Sequence, residues 1–424
     1  MKRILRKSML STAIILASAQ AYGAGFQITY QSAEGIGRAN SGEGAIGNSA
    51  AAGARNPAAL SLLDNAGVSG GLTFVRPQVD ISGSLTTGQT FNHESVAQDG
   101  LVPNFHYASP LNESLAVGVS LGSFYGTTTE FPSDSPAGAQ TGETSLTTIN
   151  ANLYGAYKVN QAISVGAGVN YVKADAKMVR TAGVLANGIN VQIPGLGATA
   201  TTKIVEVEGD ANGFGWNVGA LWQLNDSNRF AVSYRSRVDL TFDGDFKGLS
   251  SNLQPTNAEL KIELPELIEL SGYHQLNQAL AVHYTAALTG WDSFQELRAT
   301  STGCQDGICL QKDEKWEDSW KYSVGLTYGV SDMLTIRGGI ALDQSPVQQE
   351  YRTMSIPDAD RMRYSLGATV GLSSQFTIDA GMAYVDSDAE QGEEVLTSSN
   401  PALKASFMSE STALIFALQA NYNF

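Results

Sequence analysis

The residues that could do chemistry are few and scattered. The histidines are His93, His106, His274 and His283, with no H-E-x-x-H pair and no G-x-S-x-G elbow to raise a serine nucleophile. Gly42-Glu43-Gly44-Ala45-Ile46-Gly47 fits G-x-G-x-x-G, but no strand precedes it and no βαβ unit surrounds it, so a dinucleotide site fails its context. The two cysteines, Cys304 and Cys309, share one polar stretch, Ser301-Thr302-Gly303-Cys304-Gln305-Asp306-Gly307-Ile308-Cys309. No further Cys or His stands near them, so neither a metal nor a cofactor is expected. In an exported chain they are expected to pair as a structural disulfide clip on a loop. The sequence therefore points away from an enzyme. A lipase-like or protease-like activity would need a histidine brought within hydrogen-bond reach of a Ser or Asp.

The first residues read as an export address. Lys2, Arg3, Arg6 and Lys7 are followed by an apolar run over 9–17 and the small-residue cleavage site Ala21-Tyr22-Gly23. The run falls short of the ~20 residues a membrane helix needs. Residues 1–23 are thus expected to be a cleaved signal peptide, with the mature chain starting at Ala24. Loss of four positive residues takes the formal charge from −15 to −19, which makes nucleic acid and anionic surfaces poor partners. No linker or low-complexity break divides the rest, so one large domain is expected.

The elements that position these residues are strands. From 229 to 243 one parity holds Phe230, Val232, Tyr234, Val238, Leu240 and Phe242, and the other Arg229, Arg235, Arg237, Asp239 and Asp243. The same split sets Tyr364, Leu366 and Val370 against Arg361, Arg363 and Thr369. Such alternation suits a soluble sandwich or a membrane barrel. The connections decide between them: six short turns alternate with seven long polar loops, which makes 14 strands. Short turns on one side and long loops on the other, with an even strand count and a terminal Phe424, are expected of an outer-membrane barrel. Arg235, Arg237, Arg361 and Arg363 are then expected to face the lumen. The predicted fold is all-β: a 14-stranded antiparallel transmembrane β-barrel over 67–424, with residues 24–66 as an N-terminal plug, or hatch, inside the lumen. That segment is rich in Gly and Ala and lacks alternation, and a barrel this wide needs filling to be selective. The competing picture is a disordered periplasmic tail.

With plug and barrel in view, the motifs Ala24-Gly25-Phe26-Gln27, Gly35-Ile36-Gly37-Arg38-Ala39, Arg55-Asn56-Pro57-Ala58, Phe214-Gly215-Trp216-Asn217, Leu264-Pro265-Glu266 and Asp343-Gln344-Ser345-Pro346-Val347, among others, stand out together. Through them the chain resembles the FadL-like family of outer-membrane long-chain fatty acid transporters over nearly all of its mature length. The resemblance implies passive uptake of long-chain fatty acids, with aromatic hydrocarbons as the alternative cargo. It implies that Asn56, Pro57 and Ala58 help close the lumen, although Asn-Pro is also a rigid turn in its own right. It implies an inward kink and side opening in the third strand at Gly122-Ser123-Phe124-Tyr125-Gly126, with Gly126 part of the gate. Phe26 matches a residue that reaches the ligand pocket. Arg180 and Lys312 match basic residues near the ligand carboxylate, each of which could equally be half of a structural ion pair.

The third long loop carries no charge from 181 to 202 and holds Val184, Leu185, Ile189, Val191, Ile193 and Leu196. Either it captures ligand at the surface or it packs on the other loops. Expected partners are a hydrophobic ligand, outer-membrane lipid and lipopolysaccharide. The chain is expected to act as a monomer in the bacterial outer membrane.

Overall fold

The computed structural model describes residues 24–424; the expected signal peptide, residues 1–23, lies outside them. Fourteen antiparallel staves form one sheet, several of them broken midway. The first seven are β1 (Gly67–Leu85), β2 (Thr90–His93) with β3 (Gly100–Pro110), β4 (Leu115–Gly122) with β5 (Gly126–Glu130), β6 (Glu143–Lys158), β7 (Ile163–Thr181), β8 (Lys203–Asn225), and β9 (Asn228–Arg235) with β10 (Val238–Gly248). The next four are β11 (Thr256–Leu264) with β12 (Leu267–Gln275), β13 (Leu280–Thr289) with β14 (Glu296–Thr300), β15 (Ile308–Asp313) with β16 (Ser319–Ser331), and β17 (Leu334–Asp343). The last three are β18 (Arg361–Gly371), β19 (Phe376–Ser387) with β20 (Glu390–Val395), and β21 (Lys404–Asn423). β21 pairs with β1 from Gly67↔Asn423 to Leu85↔Ala405, so the sheet closes on itself. Closure pairs the staves around the ring, and an unpaired backbone group facing lipid would cost several kcal/mol.

The outer wall is apolar where side chains such as Leu153, Val169, Phe214, Leu366 and Leu418 project outward. The inner wall at the same height carries His106, Asn152, Glu269 and Gln419, all buried. Trp222, Phe230 and Tyr284 lie near the short-turn end, and Trp216, Tyr234, Trp320 and Tyr322 nearer the loops, as the two aromatic girdles of a membrane barrel would.

The alternation changes sense partway up. In β9 the odd residues Ser233 and Arg235 are buried and Val232 faces out; in β10 the even residues Val238, Leu240 and Phe242 are buried and Asp239 and Asp243 face out. The next stave inverts at the same height, from Leu267 and Glu269 inward in β12 to Ile262 and Leu264 inward in β11. The switches sit at Ser236-Arg237 and Pro265-Glu266. There Ser236 binds the neighbouring stave, its backbone N–H donating to Trp216 O at 2.9 Å and its hydroxyl accepting from Trp216 N at 2.9 Å. This corrects the expectation for Arg237. It leaves the lumen parity and binds Asp292 at 2.7 Å and Glu266 at 3.4 Å on the outer side. Arg235, with Ala54 and Asn170 as partners, and Arg363, with Thr29 and Asn40, do face the interior, and Arg361 is buried against Asp358.

Residues 24–66 fill the space inside the strands. Ser32 caps helix α1 (Ala33–Gly37) by accepting from Gly35 N at 2.9 Å, and three short 3-10 turns follow. The segment seats directly on wall backbone. A Cβ at Gly381 would lie 2.3 Å from Ala33 O, and one at Gly166 2.5 Å from Ala58 N. Buried ion pairs add to the contact, Arg55 with Glu269 and Arg337 with Glu34 at 3.1 Å, while Arg38 with Glu43 at 3.1 Å ties the plug to itself.

The inversion makes the same substitution cost different amounts at different heights. Val169→Arg puts a charge on the lipid face and is expected to lower unfolding stability by about 2–4 kcal/mol, whereas Asp243→Leu, above the switch, is expected to leave it within about 0.5 kcal/mol. Denaturant titration of the folded barrel in lipid vesicles measures both; equal costs would refute the assigned heights.

Candidate functional site

Above the switch, the inward residues of β7, β8, β10 and β11 make an apolar chamber. Val172, Ala174, Val207, Leu240, Phe242, Leu260 and Ile262 belong to one buried cluster there. A void of about 50 Å³ remains between Phe26, Leu146, Met178, Val207, Leu260, Ile262, Phe294 and Leu297.

Phe26 closes the floor of this chamber. Its ring lies 4.5 Å from Trp291, 5.4 Å from Phe294, 5.6 Å from Trp316 and 6.3 Å from Tyr125, centroid to centroid. Edge-on ring pairs of this kind add about 0.5–1.5 kcal/mol each beyond area burial. Hydrogen bonds hold the backbone on either side. Ala24 N donates to Asp343 at 3.1 Å, Gly25 N to Asp358 at 3.2 Å, Ile28 N to Phe124 O at 2.7 Å, and Gly126 N to Phe26 O at 2.9 Å. The sequence singled out Phe26 and the stretch that holds Tyr125, but not Trp291, Phe294 and Trp316, which lie far along the chain between strands.

At the loop end the basic pair comes together, but neither member is free. Arg180 donates to Glu143 O at 2.9 Å, Val179 O at 3.0 Å and Thr144 Oγ1 at 2.9 Å. Lys312 Nζ reaches Glu394 Oε1 at 2.5 Å, and Glu394 also accepts from Met354 N at 2.8 Å. A second carboxyl that sequence reasoning missed, Glu314, is buried beside them. Burial pushes its pKa up to about 7; Lys312 and Arg180 oppose that rise and Glu394 adds to it. The spacing Lys312-x-Glu314 on one strand end was the available signal.

The third stave breaks between Gly122 and Gly126. β4 pairs with β3 only from Pro110↔Ala116 to Phe105↔Leu121, and β5 pairs with β6. Beyond that point the only bridge between the second and third staves among the described residues is Ala97↔Thr129. The edge of β3 over residues 100–104 therefore has no strand beside it on that side, and residues 26–28 run along Phe124 and Tyr125 instead.

Asn56 and Pro57 open the last 3-10 turn, Pro57–Leu62. The Asn56 side chain accepts from Ala58 N at 3.0 Å and donates to Gly44 O at 2.8 Å, tying two parts of the plug together against β7 and β8. Cys304 and Cys309 are disulfide-bonded across the tip between β14 and β15.

The third loop divides in two, one part packed and one part exposed. Ile189 is buried on Ala182, Ala198 and Ile204, with Leu185 and Leu196 packed against them, and Val184 packs against a separate buried cluster that includes Val79, Phe131 and Ala137. Val191, 80 % exposed, and Ile193 are the ones left to solvent.

A closed barrel with a lipid-facing belt, an internal segment and an apolar chamber beneath a charged cluster defines a plugged outer-membrane transport barrel. The family described as outer membrane protein transport protein (OMPP1/FadL/TodX) matches residues 14–424, and the chain belongs to it. The long-chain fatty acid transport protein of Escherichia coli strain K12 is 39 % identical over 393 residues, covering 85 % of this chain and 87 % of that protein. Outer membrane protein P1 of Haemophilus influenzae strain Rd is 33 % identical over 390 residues, covering 84 % of each. The crystal structure of a Pseudomonas aeruginosa FadL homologue superposes with a TM-score of 0.83 at 22 % identity, covering 95 % of this chain and 100 % of that one. The Pseudomonas putida toluene transporter TodX has the same fold, with a TM-score of 0.68 at 17 % identity over 96 % of this chain and 99 % of that one.

Glu314 makes the site sensitive to pH in one direction. Its raised pKa keeps it neutral below about 7 and negative above. A carboxylate held by Arg180 and Lys312 is then expected to bind more weakly as pH rises through about 7, while an uncharged ester shows no such trend. Fluorescence titration, reporting from the adjacent Trp316, measures both; Glu314→Gln is expected to flatten the acid's profile, and a slope that survives this change rules out Glu314 as its source.

Proposed function

We propose that this chain takes up long-chain fatty acids by passive diffusion. The exposed Val191 and Ile193 of the third loop meet the ligand first, the chamber takes the acyl chain, and Arg180 with Lys312 receives the carboxylate. The observation that carries this reading is an apolar chamber roofed by two basic side chains. Each buried CH₂ contributes about 0.8 kcal/mol, and an unpaired carboxylate entering such a space would oppose binding without a cation. Lys312 would exchange Glu394 for the ligand.

The exit is lateral, through the unpaired edge between β3 and the broken third stave. The segment 24–28 acts as the gate, because Phe26 blocks the chamber floor and residues 26–28 fill the missing strand. The ligand has to prefer the open gate only by its differential affinity for the two states. Passage straight down conflicts with the backbone-on-backbone seating of residues 33–62 against the wall. The relatives named for fatty acid transport support the acid as cargo, and the basic roof is what an aromatic hydrocarbon would not need.

Two experiments bear on this. Replacing Arg180 and Lys312 together by Ala is expected to weaken oleate binding by about tenfold or more, as losing hydrogen bonds to a charged group would, and methyl oleate binding much less; equal losses make the pair structural. Gly126→Trp is expected to abolish oleate uptake in whole cells while surface binding survives, and a disulfide pinning Asn56→Cys to the wall at Gly219→Cys is expected to leave uptake intact. The reverse pattern would remove the lateral route.

A further inference from the structure

Below Phe26 lies a second, smaller void, about 20 Å³, enough for one water. Phe124, Tyr125, Asn150, Asn170, Arg235 and Leu264 line it. Arg235 is buried, yet its partners are the Asn170 amide oxygen and the plug carbonyl Ala54 O at 2.8 Å, with the Phe124 ring 4.0 Å beneath its guanidinium carbon. Glu269, a carboxylate whose field reaches Arg235, is already bound by Arg55. Around Arg235 the inner wall keeps buried amide atoms without partners: the Nδ2 donors of Asn152 and Asn217, and the Oδ1 acceptors of Asn150 and Asn152. A buried guanidinium without a bound carboxylate, among amides with unmet hydrogen bonds, is unusual because both situations cost free energy. Arg235 abuts Phe124, which lies within the break of the third stave.

The wall between this place and the basic roof is a continuous apolar strip. On β7 the inward residues running from Arg180 down to Asn170 are Met178, Ala176, Ala174 and Val172. Ten residues of strand separate the two ends, about 33 Å along the chain. The chamber thus has a cation at its roof and another at its floor, with nothing charged on the strip joining them.

We infer that Arg235, with the unmet Nδ2 donor of its register partner Asn217, is a second anionic headgroup site that receives the carboxylate of a fatty acid once Phe26 has moved, and holds it beside the opening in the third stave. The inference rests on the fatty acid reading above. It gives the acid a favourable stop at the chamber floor, where otherwise its head group would have to leave Arg180 and cross an apolar space unpaired. An acid and its ester then differ twice on the way through, once at the roof and once at the floor.

The test is uptake by cells carrying Arg235→Gln or Arg235→Lys, offered oleate and methyl oleate side by side, with surface binding of oleate measured separately. Arg235→Gln is expected to slow oleate uptake by about tenfold or more while leaving methyl oleate uptake and oleate surface binding within about twofold; Arg235→Lys keeps most oleate uptake. Parallel loss of acid and ester uptake, or no loss of either, overturns the site. If the wild type takes up neither compound, the transport reading itself fails, which is a different result. A second measurement does not depend on how the Arg235 variants fold. In crystals of Phe26→Ala soaked with 4-bromobutanoate, bromine anomalous density is expected within the void beside Arg235, and a void without it overturns the proposal.

Discussion

A strand that stands in hydrocarbon for part of its length and in water for the rest has to change the chemistry of its outer face without giving up its backbone hydrogen bonds. The staves on either side of Ser236-Arg237 and Pro265-Glu266 solve this with a local irregularity at one height. Below it apolar side chains meet lipid and polar ones meet the plug; above it the assignment is exchanged. The part of the chamber lined by these two staves is a product of that exchange, because Val238, Leu240, Phe242, Ile262 and Leu264 turn inward only beyond it. Its charged exterior, with Asp239, Asp243, Glu259 and Lys261 facing out, has the same origin.

On energetic grounds the two parts of the plug are held unequally. Residues 33–62 rest on wall glycines and are crossed by buried ion pairs, and removing one partner of such a pair costs about 3–5 kcal/mol. Residues 24–28 are held by a few backbone hydrogen bonds, two of them to Asp343 and Asp358, and by one ring among other rings. A hydrogen bond is worth about 0.5–1.5 kcal/mol net, so a ligand that fills the space of Phe26 can compensate for what it displaces. The plug as a whole has no such route.

Much of the barrel was legible because alternation and loop length are local properties: the stave count, the short-turn end and the disulfide follow from them. The inversion was not. Apolar residues stay on even positions from Phe230 to Phe242, and the sequence reads as one unbroken strand with Arg237 on the polar side. Both lipid and chamber ask for apolar side chains, so composition cannot register that the even face has changed its neighbour. The partners of Lys312 and Phe26 were hidden for another reason. Glu394 and Trp291 lie 82 and 265 residues away in sequence, and only closure of the sheet brings them near. In the third loop the apolar residues were visible, but which of them pack on Ala198 and Ile204 and which meet solvent is a matter of tertiary contact.

The seating of the plug is also tied to the closing of the barrel. Residues 33–62 touch β6, β7 and β8 through Pro57–Leu62, and β18, β19 and β21 through α1, so they contact both early and late staves. The seam between β1 and β21 is the last pairing the chain order allows. Contacts to both sides of the seam are complete only when the ring is shut, so the seating of the N-terminal segment and the closure of the seam are coupled, and the plug braces the cylinder that encloses it.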